Sequence, residues 1–94
     1  MNRADRIEAK LRRVLSPTRI EVEDESHRHA GHAGAPEGGE SHFRLVVVAA
    51  AFDGKSRVER QRMVYGILAE ELAAGMHALA MTTLTPGEDA KGKT

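Results

Sequence analysis

The segment from His42 to Ala51 constrains the fold most strongly, because an extended chain with this sequence is apolar on both faces. Alternate residues from Phe43 to Ala49 point to one side, and Val46 and Val48 point to the other. A strand that is apolar on both faces is typical of the centre of a sheet. With 94 residues, the chain has room for one such core and therefore for one domain.

Two segments before this strand have their own periodic patterns. Residues 3–15 carry apolar side chains at the spacing of one helical face, namely Ile7, Leu11, Val14 and Leu15. Pro17 ends this predicted helix, because the residue before a proline avoids the helical conformation. Residues Thr18–Glu23 alternate between apolar and charged, which predicts a half-exposed strand. We expect it to pair with the central strand as an antiparallel hairpin.

The second half of the chain predicts a helix and a third strand. Ser56 and Glu59 have the spacing of a capping box, which begins a helix. This helix is expected to run to about Ala74, with Gly75 in the left-handed conformation that ends it. His77–Leu84 predicts a third strand, which can run parallel to the second because a helix connects the two.

Together these elements predict an α+β domain in the order helix, strand, strand, helix, strand. We expect the helices to pack on one side of a small three-stranded mixed sheet. The segment from Pro86 onward is polar and has no core residue, so it is expected to be frayed. Residues 1–86 are therefore predicted to form the domain, and residues 87–94 a flexible C-terminal tail.

Composition and charge exclude several classes of function. The chain has 14 basic and 14 acidic residues, whereas a nucleic-acid-binding domain usually has a basic excess. It has no cysteine, and hence no disulfide, thiolate nucleophile or zinc finger. It contains neither a phosphate-binding glycine motif nor a G-x-S-x-G motif, and its small core leaves little room for a substrate pocket. No apolar run reaches the roughly 20 residues that span a bilayer, and no signal peptide is recognisable. We expect a cytoplasmic protein that is not an enzyme.

Residues 26–41 are rich in glycine and alanine and lack periodicity, which predicts a long mobile loop. The segment carries three of the five histidines, His27, His29 and His32. An H-x-H-x-x-H cluster can bind a transition metal through neutral imidazoles, although a polar loop with chance histidines fits the pattern equally. The other two histidines, His42 and His77, open the second and third predicted strands.

Two further patterns bear on nucleic-acid binding. Four basic residues lie at the start of the second predicted helix, namely Lys55, Arg57, Arg60 and Arg62. They form a candidate phosphate-binding surface, of which Arg57 and Arg60 share one helical face, or else an ordinary solvated face. Residues 31–34 spell G-x-x-G, the motif of KH nucleic-acid-binding modules. Because this motif lies between two predicted strands rather than two helices, we expect it to have no such function.

Three segments together resemble the BolA family. They are Asp24–His29, Glu40–Val48 with the following Phe52-Asp53-Gly54, and Val58–Tyr65 with its continuation to Leu79. The resemblance spans residues 3–86. Two differences stand out: members of the family commonly have a histidine where this chain has Gln61, and the loop between the first two strands is longer here, with the extra His32.

The resemblance implies a KH-like fold without a working G-x-x-G, and partnership with monothiol glutaredoxins. Such pairs hold a bridging [2Fe–2S] cluster, bound by glutaredoxin and glutathione thiolates on one side and by histidine on the other. His77 is the implied ligand at the start of the last strand. The second implied ligand is His29, with His32 and His42 as alternates. The isolated protein is expected to carry no cofactor.

The resemblance also implies a rival function. Some members of the family are described as transcriptional regulators of stress response and cell morphology. In that case the basic start of the second helix, Lys55 to Arg62, would face DNA. This hypothesis predicts an affinity that falls steeply with salt, whereas the cluster hypothesis predicts dependence on His77. The balanced net charge favours the cluster hypothesis.

Overall fold

The structure, a computed structural model, describes residues 2–25, 42–76 and 78–92. The described residues form four helices, α1 (Arg3–Leu15), α2 (Arg57–Ile67), α3 (Ala69–Ala73) and α4 (Pro86–Lys91). They also form three strands, β1 (Arg19–Asp24), β2 (His42–Val48) and β3 (Ala78–Leu84). The predicted α+β class and three-stranded mixed sheet are confirmed. The predicted long loop at residues 26–41 lies outside the described residues.

The sheet has the order β1-β2-β3, so β2 is its central strand, as predicted. β1 pairs with β2 in antiparallel orientation, and β2 pairs with β3 in parallel orientation. Leu45, in the middle of β2, lies opposite Val22 on one side and Met81 on the other. These three apolar side chains lie on the same face of the sheet, so the apolar surface of that face extends across all three strands.

The hydrophobic core lies between this face and the helices α1 and α2. Its fully buried side chains include Ile7, Leu11, Phe43, Leu45, Val47, Phe52, Val64 and Leu68. Val14, which the predicted apolar stripe of α1 included, is 56% exposed. It lies to one side of the line through Ala4, Ile7, Leu11 and Leu15, because α-helical residues advance by 100° each.

Two predicted element boundaries differ from the structure. β2 ends at Val48 rather than at Ala51, because Ala50–Phe52 form a 3₁₀ turn that places Phe52 in the core. The helix that was predicted to continue to Ala74 is interrupted at Leu68, two residues after Gly66, whose low helix propensity weakens this part. The predicted capping box of Ser56 and Glu59 is confirmed, and Gly75 has the expected positive φ, +122°.

The C-terminal segment also differs from its prediction. Residues Pro86–Lys91 form α4, which begins with a second capping box, between Thr85 and Glu88. Its Asp89 pairs with Arg19 of β1 at 2.7 Å. The prediction of a frayed end is therefore wrong for residues 86–91, because capping and ion pairs hold a helix that buries no apolar side chain. Among the described residues, no helix is long and apolar enough to cross a membrane.

Candidate functional site

One end of the sheet carries three residues that lie within or next to the histidine-bearing parts of the chain: Glu25, His42 and Ala78. The backbone N–H of Glu25, just after β1, donates to the carbonyl oxygen of His42 at 2.8 Å. His42, the first residue of β2, lies opposite Ala78, the first residue of β3. Glu25 and His42, which flank the segment 26–41, and Ala78, which follows His77, are therefore neighbours at the ends of adjacent strands.

Only one of the candidate ligands lies within the described residues. His42 is half-buried and alternates with Phe43, so it lies on the face of the sheet opposite the core. Arg44 lies on the same face, where its Nε donates to Glu25 Oε2 at 3.0 Å. His29, His32 and His77 lie outside the described residues. Within the described ranges, no group of three histidine or acidic side chains is placed to hold a metal ion.

The turn from α3 to β3 leads into this end of the sheet. It passes through Gly75, with its positive φ, and Met76, which is buried in the core. The N–H of Met76 donates to the carbonyl oxygen of Glu71 at 3.2 Å. The backbone just before His77 is thus held by a hydrogen bond and by core packing.

The basic side chains at the start of α2 differ in their exposure to solvent. Lys55, Arg57 and Arg62 are exposed. The side chain of Arg60 is only 12% exposed, and its guanidinium lies over the ring of Phe52, 5.9 Å from the centroid.

Arg60 connects three parts of the fold. It donates to the carbonyl oxygen of Lys55 at 3.0 Å, to that of Thr83 in β3 at 3.1 Å, and to Glu88 Oε1 in α4 at 2.7 Å. The Arg60 hydrogen bond, together with the capping bond from the Thr85 backbone, lowers the pKa of Glu88 to about 2. Arg60 is therefore engaged within the protein, so Arg57 is the exposed member of this pair, and their predicted role as a phosphate-binding face stays a prediction.

Sequence reasoning missed Glu71, a buried acidic side chain on α3 that contacts three basic residues of α1. A signal for it existed. Glu71 lies three residues after Leu68 and seven after Val64, on the line of the buried helical face. A charged residue on such a line requires partners.

Comparison with known families matches residues 11–88 to BolA, described as "BolA-like protein". The DNA-binding transcriptional regulator BolA of Escherichia coli (strain K12) is 48% identical over 81 residues, which cover 86% of this chain and 73% of that protein. The solved BolA domain of SufE1 from Arabidopsis thaliana superposes with a TM-score of 0.84 at 46% identity, covering 94% of this chain and 96% of the domain.

Two further relatives come from plants and are longer. The chain spans 24% of the length of "SufE-like protein 1, chloroplastic/mitochondrial" and 56% of "Protein BOLA1, chloroplastic", both of Arabidopsis thaliana. Because these two names refer to organelles, the expected cytoplasmic location of the present chain stays a prediction. The family match covers most of the chain and includes all three strands, most of the core and the sheet end that carries His42. The resemblance found in the sequence is thus confirmed, and the chain belongs to the BolA family.

Proposed function

We propose that this protein is a non-enzymatic partner of a monothiol glutaredoxin that supplies histidine ligands to a shared [2Fe–2S] cluster, for iron–sulfur trafficking or iron and redox regulation. The observation that carries the proposal is the strand order. Glu25, His42 and Ala78 lie together at one end of the sheet. The histidine-rich segment begins after Glu25 and ends before His42, and His77 precedes Ala78. All candidate ligands are therefore attached to the same end.

The available donor atoms fit such a cluster. The chain has no cysteine, so its side chains would bind iron through imidazole, from His77 and from one of His29, His32 and His42. The remaining ligands would be thiolates of the glutaredoxin and of glutathione. A bound cluster with two imidazoles and two thiolates supplies one-electron chemistry at a higher potential than a cluster with four thiolates.

The fold contributes rigidity to this end of the sheet. β2 is paired on both sides, and the bond from Glu25 to His42 closes the base of the hairpin. A ligand that is held at the end of a paired strand loses little freedom when it binds, which favours affinity. His42 is the candidate that occupies such a position among the described residues.

The test is to mix the protein with a monothiol glutaredoxin that carries glutathione and a [2Fe–2S] cluster, and to record visible absorption and circular dichroism. We expect a one-to-one complex with a changed cluster spectrum, and loss of that change in His77→Ala. Single substitutions of His29, His32 and His42 identify the second ligand. His27→Ala is the matched control, because it removes a histidine of the same segment outside the proposed ligand set.

Two outcomes would contradict the proposal. If the His77→Ala complex has the wild-type spectrum, His77 is not a ligand. If the wild-type protein binds the glutaredoxin without any spectral change, the protein is an adaptor that does not ligate the cluster.

The second candidate function is DNA binding, which is favoured by the name of the Escherichia coli relative and by the exposed Lys55, Arg57 and Arg62. It predicts that Arg57→Gln and Arg62→Gln each reduce the slope of log affinity against log salt by about 0.9 in titrations with a DNA duplex. The cluster proposal predicts that the same variants leave the cluster spectrum of the glutaredoxin complex unchanged. The two candidates are thus separated by the same pair of variants.

A further inference from the structure

The carboxylate of Glu71 is buried, with only 6% of its side chain exposed, and is surrounded by cations of α1. Arg3 Nε lies 3.2 Å and Arg6 Nε 3.3 Å from Oε1, and Lys10 Nζ lies 2.9 Å from Oε2. Burial alone would raise the pKa of Glu71, but the hydrogen bonds from Lys10 and Arg6 outweigh it and lower the pKa. Glu71 is therefore ionised near neutral pH and ties α3 to the first two turns of α1.

The same cluster is bonded to the turn that leads into β3. Arg3, which contacts Glu71 through Nε, also donates from Nη2 to the carbonyl oxygen of Ala74 at 3.1 Å. Its guanidinium nitrogens lie 4.0 Å from the position that a Cβ on Gly75 would take. The carbonyl oxygen of Glu71 accepts from the N–H of Met76. The ion cluster and the turn are therefore one connected unit.

This unit holds the backbone of the residues immediately before His77. Met76 precedes His77 and is fixed by its bond to Glu71 and by burial in the core. Ala78 follows His77 and is fixed by pairing with His42. Between Glu71 and Met76 the chain includes Gly75, which by itself has wide conformational freedom. The contacts of Arg3 and Glu71 limit that freedom.

We infer that Glu71 is a positioning residue for His77, because with Arg3 it holds the α3–β3 turn that immediately precedes this histidine. The inference rests on the proposed function. It explains why three cations of α1 meet on a single buried acid that lies close to the start of β3. It also assigns a role to α1 in the site, although α1 carries no candidate ligand.

The test uses the full chain with three variants. Glu71→Gln removes the charge and keeps the size of the side chain. Arg3→Lys keeps a positive charge for Glu71 but lacks the second nitrogen that reaches the carbonyl of Ala74. Glu88→Gln is the matched control, because it makes the same chemical change in the Arg60 ion pair at the opposite end of β3.

The first measurement is amide hydrogen exchange of the isolated proteins by NMR, with Met76 referenced to core amides such as that of Leu45. We expect exchange at Met76 to rise by roughly tenfold in Glu71→Gln and by less in Arg3→Lys, with no relative change in Glu88→Gln. The second measurement is the visible circular dichroism of the complex with cluster-loaded glutaredoxin. We expect it to change in Glu71→Gln and to match the wild type in Glu88→Gln.

The outcomes separate this inference from the proposed function. If the wild-type protein changes the cluster spectrum while Glu71→Gln behaves as Glu88→Gln in both measurements, the positioning role is overturned and the proposed function stands. If the wild-type protein leaves the cluster spectrum unchanged, the proposed function fails and the role of Glu71 toward the cluster fails with it. A shift in both measurements that is confined to Glu71→Gln and Arg3→Lys supports the inference.

Discussion

Arg60→Ala offers a direct test of how the structure divides the basic residues of α2. The substitution barely changes helix propensity, since arginine and alanine are both good helix formers. It removes the guanidinium that donates to the carbonyl oxygens of Lys55 and Thr83 and lies over Phe52. It also removes the partner of Glu88. The effect should therefore appear in the free energy of unfolding.

The expected magnitude follows from these contacts. Hydrogen bonds from a charged group contribute about 1.5–3 kcal/mol when the acceptor is shielded, as the partly buried carbonyl of Thr83 is. The cation–π contact with Phe52 adds about 0.5–1 kcal/mol, and the exposed ion pair adds little. We expect Arg60→Ala to lower the free energy of unfolding by about 2–4 kcal/mol. For a domain of this size, that is a fall in Tm of roughly 8–32 °C.

Urea unfolding followed by far-ultraviolet circular dichroism measures this change, and Arg57→Ala is the matched control. Arg57 is exposed, and it lies on the same helix three residues earlier. We expect its replacement to change the free energy of unfolding by less than about 0.5 kcal/mol. If Arg60→Ala is as stable as Arg57→Ala and instead weakens DNA binding, the internal role of Arg60 is wrong and the phosphate-binding hypothesis is supported.

Three further predictions concern stability and use the same unfolding assay. Leu45→Ala, in the centre of the core, should lower the free energy of unfolding by about 2–5 kcal/mol, whereas Val14→Ala, on the exposed face of α1, should change it by less than about 0.5 kcal/mol. Ser56→Ala removes the N-cap of α2 and should lower it by about 1 kcal/mol, without affecting the m-value. Glu88 has a lowered pKa in the folded state, so its contribution to the free energy of unfolding is complete above pH 4.5 and is lost as the pH falls toward 2. Glu88→Gln should therefore flatten the acid limb of a plot of stability against pH. An unchanged acid limb would contradict the lowered pKa of Glu88.

Local patterns in the sequence predicted most of the fold. β2 has alternating apolar residues on both faces, and it is the central strand. Ser56 and Glu59 have capping-box spacing, and they form one. Such features depend on residues within a few positions of each other, so the amino-acid sequence alone contains the information that is needed to find them.

α4 is a helix that the sequence patterns did not predict. Thr85 and Glu88 have the same capping-box spacing as Ser56 and Glu59. The segment was predicted to be frayed because it is polar and has no core residue. The helix is instead held by ion pairs to Arg19 and Arg60, which lie 70 and 28 residues away in the sequence. Polar pairing over such distances leaves no periodic trace.

The sequence proposes the residues of the candidate site, which stay a prediction, but it does not give their arrangement. The histidines are visible in the sequence, and the family resemblance selects among them. Ala78, which follows His77, lies at the same end of the sheet as Glu25 and His42, which flank the histidine-rich segment. This arrangement depends on strand order, which a one-dimensional pattern does not contain. Glu71 became significant for the same reason, because its partners on α1 are 61 to 68 residues distant.

The charge distribution weighs against DNA as the main partner of this surface. α4 places Glu88 on Arg60, so the start of α2 presents Lys55, Arg57 and Arg62 as its exposed cations. If each of these three neutralises one phosphate, the slope of log affinity against log salt is about −2.7, well below that of proteins that make 6–10 phosphate contacts. A protein that makes only three phosphate contacts would bind DNA weakly at physiological salt. A measured slope steeper than about −4 would require cations from another surface or a second protein copy, whereas a slope near −2.7 would assign the binding to these three cations alone.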